Sequence, residues 1–79
     1  MTAGIMELDL HGKNAYQAKV MIDAALRRAK SGTYRLRVIH GYNSGTALRD
    51  MVRSEYASHP QVKRMEYTAG ATELVLREF

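Results

Sequence analysis

Ile5-Met6-Glu7-Leu8-Asp9-Leu10 alternates apolar and acidic side chains. A period of two marks a strand with one covered face, so Met6, Leu8 and Leu10 belong to the covered side and Glu7 and Asp9 to the other. His11-Gly12 ends it. From Asn14 the period lengthens: Ala15, Ala18, Ile22, Ala25, Leu26 and Ala29 recur at helical intervals, and Asn14 with Gln17 three residues on has the spacing of a capping box. The helix is predicted to run to about Lys30, with Arg27, Arg28 and Lys30 where cations suit the carbonyl end of the dipole and Ser31-Gly32 closing it.

Tyr34 to Ile39 alternates again, Leu36 and Val38 against Arg35 and Arg37, and this second strand also ends in His-Gly, at His40-Gly41. After the turn-forming run Tyr42-Asn43-Ser44-Gly45, Leu48, Met51, Val52 and Tyr56 mark a second amphipathic helix that stops before His59-Pro60. Val62 to Tyr67 and Thr72 to Arg77 are short strands, a hairpin or near neighbours, around Thr68-Ala69-Gly70-Ala71. The expected fold is a two-layer α/β (α+β) domain over residues 1–79, β-α-β-α-β-β, a four-stranded mixed sheet with two helices on one face and solvent or a partner on the other. Right-handed crossovers on one face step in one direction, which gives an expected strand order 1-2-3 with the last strand antiparallel.

Composition narrows the function classes. In 79 residues without a cysteine there is room for neither a second domain nor a disulfide framework, thiolate nucleophile or zinc-cysteine cluster, and a reducing, cytoplasmic compartment is expected. No apolar run approaches the ~20 residues of a membrane span, and Met1-Thr2-Ala3-Gly4 lacks the features of a signal peptide. With 12 Lys+Arg against 8 Asp+Glu the net charge is +4, a mild bias toward anionic partners such as nucleic acid that also fits a simply solvated surface. The five methionines read as core filler.

If the first two strands are parallel neighbours, Leu10-His11-Gly12 and Ile39-His40-Gly41 end side by side, at the rim where open α/β sheets bind ligands and helix starts present unpaired N–H groups. His11 and His40 are candidates for hydrogen bonding to a phosphate or for proton transfer in phosphodiester cleavage. Asp9 is placed to orient the His11 imidazole; the alternative is a cross-strand pair with Arg35 or Arg37. Strict alternation puts His40 on the helix side and His11 on the open side, so they converge only if the chain twists or has left the strand; a buried His40 bonding a backbone group is the alternative. Gly12, Gly41, Gly45 and Gly70 permit sharp turns or a close approach to phosphate, although glycine after a strand is also ordinary turn punctuation. Arg49 is a candidate phosphate clamp or an arginine with its stem packed on the sheet, Tyr42 a base-stacking residue or simple cover, and Arg35, Arg37, Arg64 and Arg77 a basic track. Asp9, His11 and His40 are candidate ligands for Mg²⁺ or Mn²⁺, with two imidazoles a poor match to the oxygen preference of Mg²⁺. No zincin spacing or nucleophile elbow occurs, which argues against covalent serine or cysteine hydrolysis.

These residues resemble the Smr (small MutS-related) domain family. The likeness rests on Leu8-Asp9-Leu10-His11-Gly12, on Val38-Ile39-His40-Gly41 followed by Ser44-Gly45 and Ala47-Leu48-Arg49, on His59-Pro60-Gln61-Val62, and on Gly70-Ala71-Thr72-Glu73-Leu74-Val75-Leu76. The resemblance implies a fold similar to the C-terminal domain of translation initiation factor three and a nucleic-acid function. Family members nick DNA, cleave messenger RNA on stalled ribosomes, or act on collided ribosomes with little cleavage. The family's Asp-x-His maps to Asp9 and His11, and its His-Gly-x-Gly-x-Gly loop to His40, Gly41 and Gly45. Asn43 stands in place of the loop's middle glycine, Tyr42 in place of the usual basic residue, and the stretch from Gly45 to Leu48 is one residue longer than the common pattern. The chain reads as a stand-alone version without a MutS-like ATPase.

The expected activity is nucleic-acid binding with weak endonuclease chemistry. Asp9, His11 and His40 are the catalytic candidates; Gly12, Gly41, Asn43, Ser44, Gly45 and Arg49 are the phosphate-binding ones. DNA or RNA and the ribosome are the candidate partners. A non-catalytic RNA- or ribosome-binding module is the rival, and an adaptor using the open sheet face a third class. The residues leave oligomeric state and metal identity open.

Overall fold

The computed structural model describes residues 4–30, 32–41 and 46–78. The elements are β1 (Ile5–Asp9), α1 (Ala15–Arg28), β2 (Arg35–Ile39), α2 (Ala47–Glu55), β3 (Arg64–Tyr67) and β4 (Ala71–Val75), the order expected from the hydrophobic pattern. Asn14 caps α1 as its spacing predicts. Its Oδ1 accepts from the Gln17 amide at 2.7 Å and Gln17 Oε1 accepts from the Asn14 amide at 3.1 Å, satisfying two of the free donors of the helix start. The helix ends at Arg28 with Ala29 as C-cap, slightly before the expected Lys30, and Ser31 lies outside the described residues.

The strand order is β1-β2-β4-β3, with β1 and β2 parallel and β4 antiparallel to both its neighbours. This corrects the expected order 1-2-3: β4 lies between β2 and β3. Burial supplies the reason. Thr72, Leu74 and Val75 of β4 are buried, whereas Arg64 and Tyr67 of β3 are exposed, so the more apolar strand takes the central position and the polar one the edge. The chain crosses from β2 over α2 to the far edge and then folds back inward through the β3–β4 hairpin.

The helices share one face. α1 contributes Ala18, Ile22, Ala25 and Leu26 and α2 contributes Val52 to a core with Leu10, Leu36, Val38 and Leu74, the covered positions of the strands. Tyr56, just beyond α2, ties the helices together by donating its hydroxyl to Asp23 Oδ1 at 2.6 Å. Burial and that carboxylate raise its pKa above the ordinary tyrosine value.

The opposite face of the sheet is a ladder of alternating charge. Arg37 bonds Glu7 at 3.3 Å and Glu73 at 3.0 Å; Arg35 reaches Glu73 at 2.6 Å and Glu66 at 2.5 Å; Arg64 pairs with Glu66 and Glu78. Glu66 and Glu73 are register partners on adjacent strands, a like-charge opposition that Arg35 relieves by bonding both. The expected basic track is therefore not a run of free cations: Arg35, Arg37 and Arg64 are taken up by carboxylates, and Arg77 lines a cleft beside Arg35 and Arg64 without an ion pair of its own among the described residues. Asp9 pairs with neither Arg35 nor Arg37, because Glu7 takes the β1 position opposite Arg37.

The Arg35 and Arg64 guanidiniums hold the Glu66 carboxyl down at about 2, from 4.5, and Arg35 and Arg37 lower that of Glu73. A depressed carboxyl contributes stability above its unfolded value and loses it as pH falls through its folded one. Melting followed by circular dichroism is expected to show stability declining between about 4.5 and about 2, and E66Q to flatten that decline. An equally steep decline in the variant contradicts the ladder's role.

Candidate functional site

Parallel pairing of β1 with β2 sets Asp9 opposite Ile39, and the Leu10 amide extends the ladder by donating to Ile39 O at 2.8 Å. The two His-Gly segments therefore leave the sheet side by side. Beyond Leu10 the chain turns at once, the Lys13 amide donating to Leu10 O at 3.0 Å, with Gly12 at φ 77° in the left-handed region that such a turn requires. Asp9 Oδ1 accepts from the His11 amide at 2.9 Å. Its carboxylate thus sets the backbone of His11 rather than contacting the imidazole, which is exposed.

His40 is placed differently. It is 4% exposed and both ring nitrogens are engaged: Nδ1 lies 3.0 Å from Gly41 O and Nε2 3.0 Å from Thr72 Oγ1. A carbonyl only accepts, so Nδ1 carries the proton; in the neutral ring Nε2 then accepts from the Thr72 hydroxyl, whose oxygen accepts from Arg53 Nε at 3.0 Å. Arg53 also stacks over the Tyr67 ring at 4.2 Å and reaches Thr68 O at 3.4 Å. A polar column thus runs from α2 through β4 to the start of the second loop. Gly70 O closes the arrangement by accepting from the amides of both His40, at 3.0 Å, and Gly41, at 2.9 Å. Gly41, at φ 75°, needs the freedom of glycine.

His11 and His40 share one cleft of about 470 Å³. Its walls are His11, Gly12 and Lys13, the start of α1 at Asn14 and Ala15, His40, and the start of α2 at Ala47 and Leu48. Both helix starts direct their free N–H groups toward this end of the sheet, which favours an anion. Arg49 is not part of the wall; its Nε and Nη2 both bond Asp50 Oδ1 at 3.2 Å. Asp50 is kept ionised by the Thr46 hydroxyl first and by Arg49 second, which lower its pKa. The candidates Asn43, Ser44 and Gly45, with Tyr42, lie outside the described residues. Among the described residues no three His, Asp or Glu side chains gather as a metal site. Asp9 turns back to the His11 amide and the His40 nitrogens are spent on Gly41 and Thr72, so the proposed Mg²⁺ or Mn²⁺ ligands do not converge.

Sequence reasoning missed Lys13, Arg53 and Thr72. Lys13 was legible as the cation directly after His11-Gly12 at a helix start. Thr72 alternates with Leu74, which marks it as a polar group on the covered face.

A model of the Smr domain family matches residues 8–74, which span both His-Gly segments and Thr72. The chain belongs to the Smr domain family. Among solved structures, the fold is similar to the crystal structure of the Smr domain of Thermus thermophilus MutS2, with a TM-score of 0.82 and 29% identity over 92% of this chain and 99% of that one. A search of curated proteins found no match. The Smr family is known for nucleic-acid binding and nuclease-related roles. Among the described residues, no helix is long and apolar enough to cross a membrane.

Thr72→Val keeps the shape of the side chain but leaves Arg53 and His40 without their shared partner. The expected loss is about 1–3 kcal/mol of stability in urea denaturation, with a displaced His40 ring resonance. A variant as stable as the parent, its ring signal unmoved, rules out the column.

Proposed function

We propose that this Smr domain binds the phosphodiester backbone of DNA or RNA in the histidine cleft and cleaves it weakly, as an endonuclease of a reducing cytoplasm acting on free nucleic acid or on the ribosome. The observation that carries the reading is that His11 is an exposed imidazole in a cleft bordered by two helix starts and Lys13. His11 accepts the proton of the attacking oxygen, water or a ribose hydroxyl, or returns a proton to the leaving oxygen as the P–O bond breaks. Lys13 and the helix-start amides hold the phosphate charge, with Gly12, Gly41, Asn43, Ser44 and Gly45 giving the backbone access to it. Asp9 is a positioning residue that fixes the turn carrying His11, and His40 positions the second loop through Gly41. Arg49 joins the phosphate contacts only by releasing Asp50.

His11→Ala is expected to lower cleavage of supercoiled plasmid, single-stranded DNA or structured RNA by about 10²–10⁴-fold, the usual worth of a positioned acid–base group. Asp9→Asn retains an oxygen for the His11 amide and is expected to cost less than Asp9→Ala. Cleavage indifferent to His11 sinks the assignment.

A second reading has a specific observation behind it: Tyr42 and Asn43 replace a basic residue and a glycine of the family's loop, removing a charge and some backbone access. On that reading the domain is a binding module. Its affinity is expected to fall linearly on a log–log plot against salt, without turnover.

A further inference from the structure

Ion pairing leaves the positive charge of this domain unevenly distributed. Lys19, Arg35, Arg37, Arg49 and Arg64 take up every carboxylate engaged in an ion pair among the described residues, and Asp9 is occupied by the His11 amide. Lys13 lies in the histidine cleft and Arg53 over Tyr67. The remaining cations, Arg27, Arg28, Lys30, Lys63 and Arg77, pair with no carboxylate among the described residues and collect where α1 ends, β3 begins and β4 leaves the sheet. This is the opposite end of the molecule from His11 and His40, because β4 and α1 both run from the end that carries those two residues toward it.

A cleft of about 280 Å³ opens there. Lys30, Lys63 and Arg77 line it, with Thr33 and Gln61 between them as polar groups. Hydrogen bonds hold its frame: the Lys63 amide donates to Val75 O at 2.8 Å, the Arg77 amide to Tyr34 O at 3.2 Å, and the Gln61 side chain to Leu26 O at 2.9 Å. The carboxylate next to Arg77, Glu78, is bound by Arg64, so Lys30, Lys63 and Arg77 make no ion pair among the described residues; cations so gathered repel one another, and an anionic ligand relieves that repulsion.

We infer that this cleft is a second phosphate-contact site, which engages the backbone of the same nucleic acid that the histidine cleft holds; the inference rests on the nucleic-acid reading given above. The separation of the sites selects the ligand. At 1.5 Å per residue, the 14 residues of α1 put the clefts roughly 20 Å apart. No isolated phosphate spans that distance. A duplex carries one charge per about 1.7 Å of axis, hence about a dozen charges over the same length. Lys30, Lys63 and Arg77 would therefore add grip and orientation without sequence information.

The test is fluorescence anisotropy with a labelled RNA hairpin and a labelled DNA duplex across a salt series. Three proteins are compared: the parent, K30Q/K63Q/R77Q, and a charge-matched control, K19Q/R37Q/R64Q, each checked for folding by circular dichroism. The cleft variant is expected to bind at least about tenfold more weakly, with a salt slope shallower by about 2 to 3, since each duplex phosphate that a cation neutralises adds about 0.9 to the slope. The control is expected to keep most of the parent's slope. Unchanged binding by the cleft variant, or an equal loss in the control, overturns the second site and leaves the histidine-cleft reading standing. A parent that binds neither nucleic acid at low salt overturns both, and binding of polyglutamate in its place, abolished in the cleft variant, assigns the cleft to an acidic protein.

Discussion

The parallel pairing of β1 with β2 is the constraint on which the site depends. Neither His-Gly segment is unusual alone, and each follows its strand as a turn would. Register makes them a pair: with Asp9 opposite Ile39, the two chains emerge at the same height and the helices that follow begin side by side. A slip of one residue would invert the faces of β1, expose Leu10 and break the cleft in the same step. The apolar core and the polar rim are thus specified by one set of hydrogen bonds.

Much of this is legible in the sequence because each element carries its own period. The capping box of α1, the covered faces of β1 and β2 and the element order all follow from spacing. Alternation also places His40 with Leu36 and Val38, which matches its burial. His11 is the instructive contrast, since alternation assigns it to the open face. The strand has ended by Leu10, and the turn at Gly12 carries His11 around to the cleft. Periodicity describes residues only while the backbone remains regular.

What the sequence hides depends on neighbours distant along the chain. Period tells which face of a strand is covered but not which strand lies beside it, so the insertion of β4 between β2 and β3 is out of its reach. The charged face misleads for the same reason. Arg35, Arg37 and Arg64 look like free cations until register sets Glu7, Glu66 and Glu73 among them. Once those pairs are made, the modest net charge resolves into a neutralised sheet face and cations concentrated toward the two ends of the molecule.

The antiparallel setting of β4 against β2 has one more consequence. Ile5, Arg35 and Val75 fall in a single row across the sheet, so the polypeptide enters and leaves two strand spacings apart, about 10 Å. Such a module can be spliced into a longer protein as a cassette whose two joints sit together. Any flanking segment then meets the basic pole first, while His11 lies at the other end of the sheet and stays exposed to solvent.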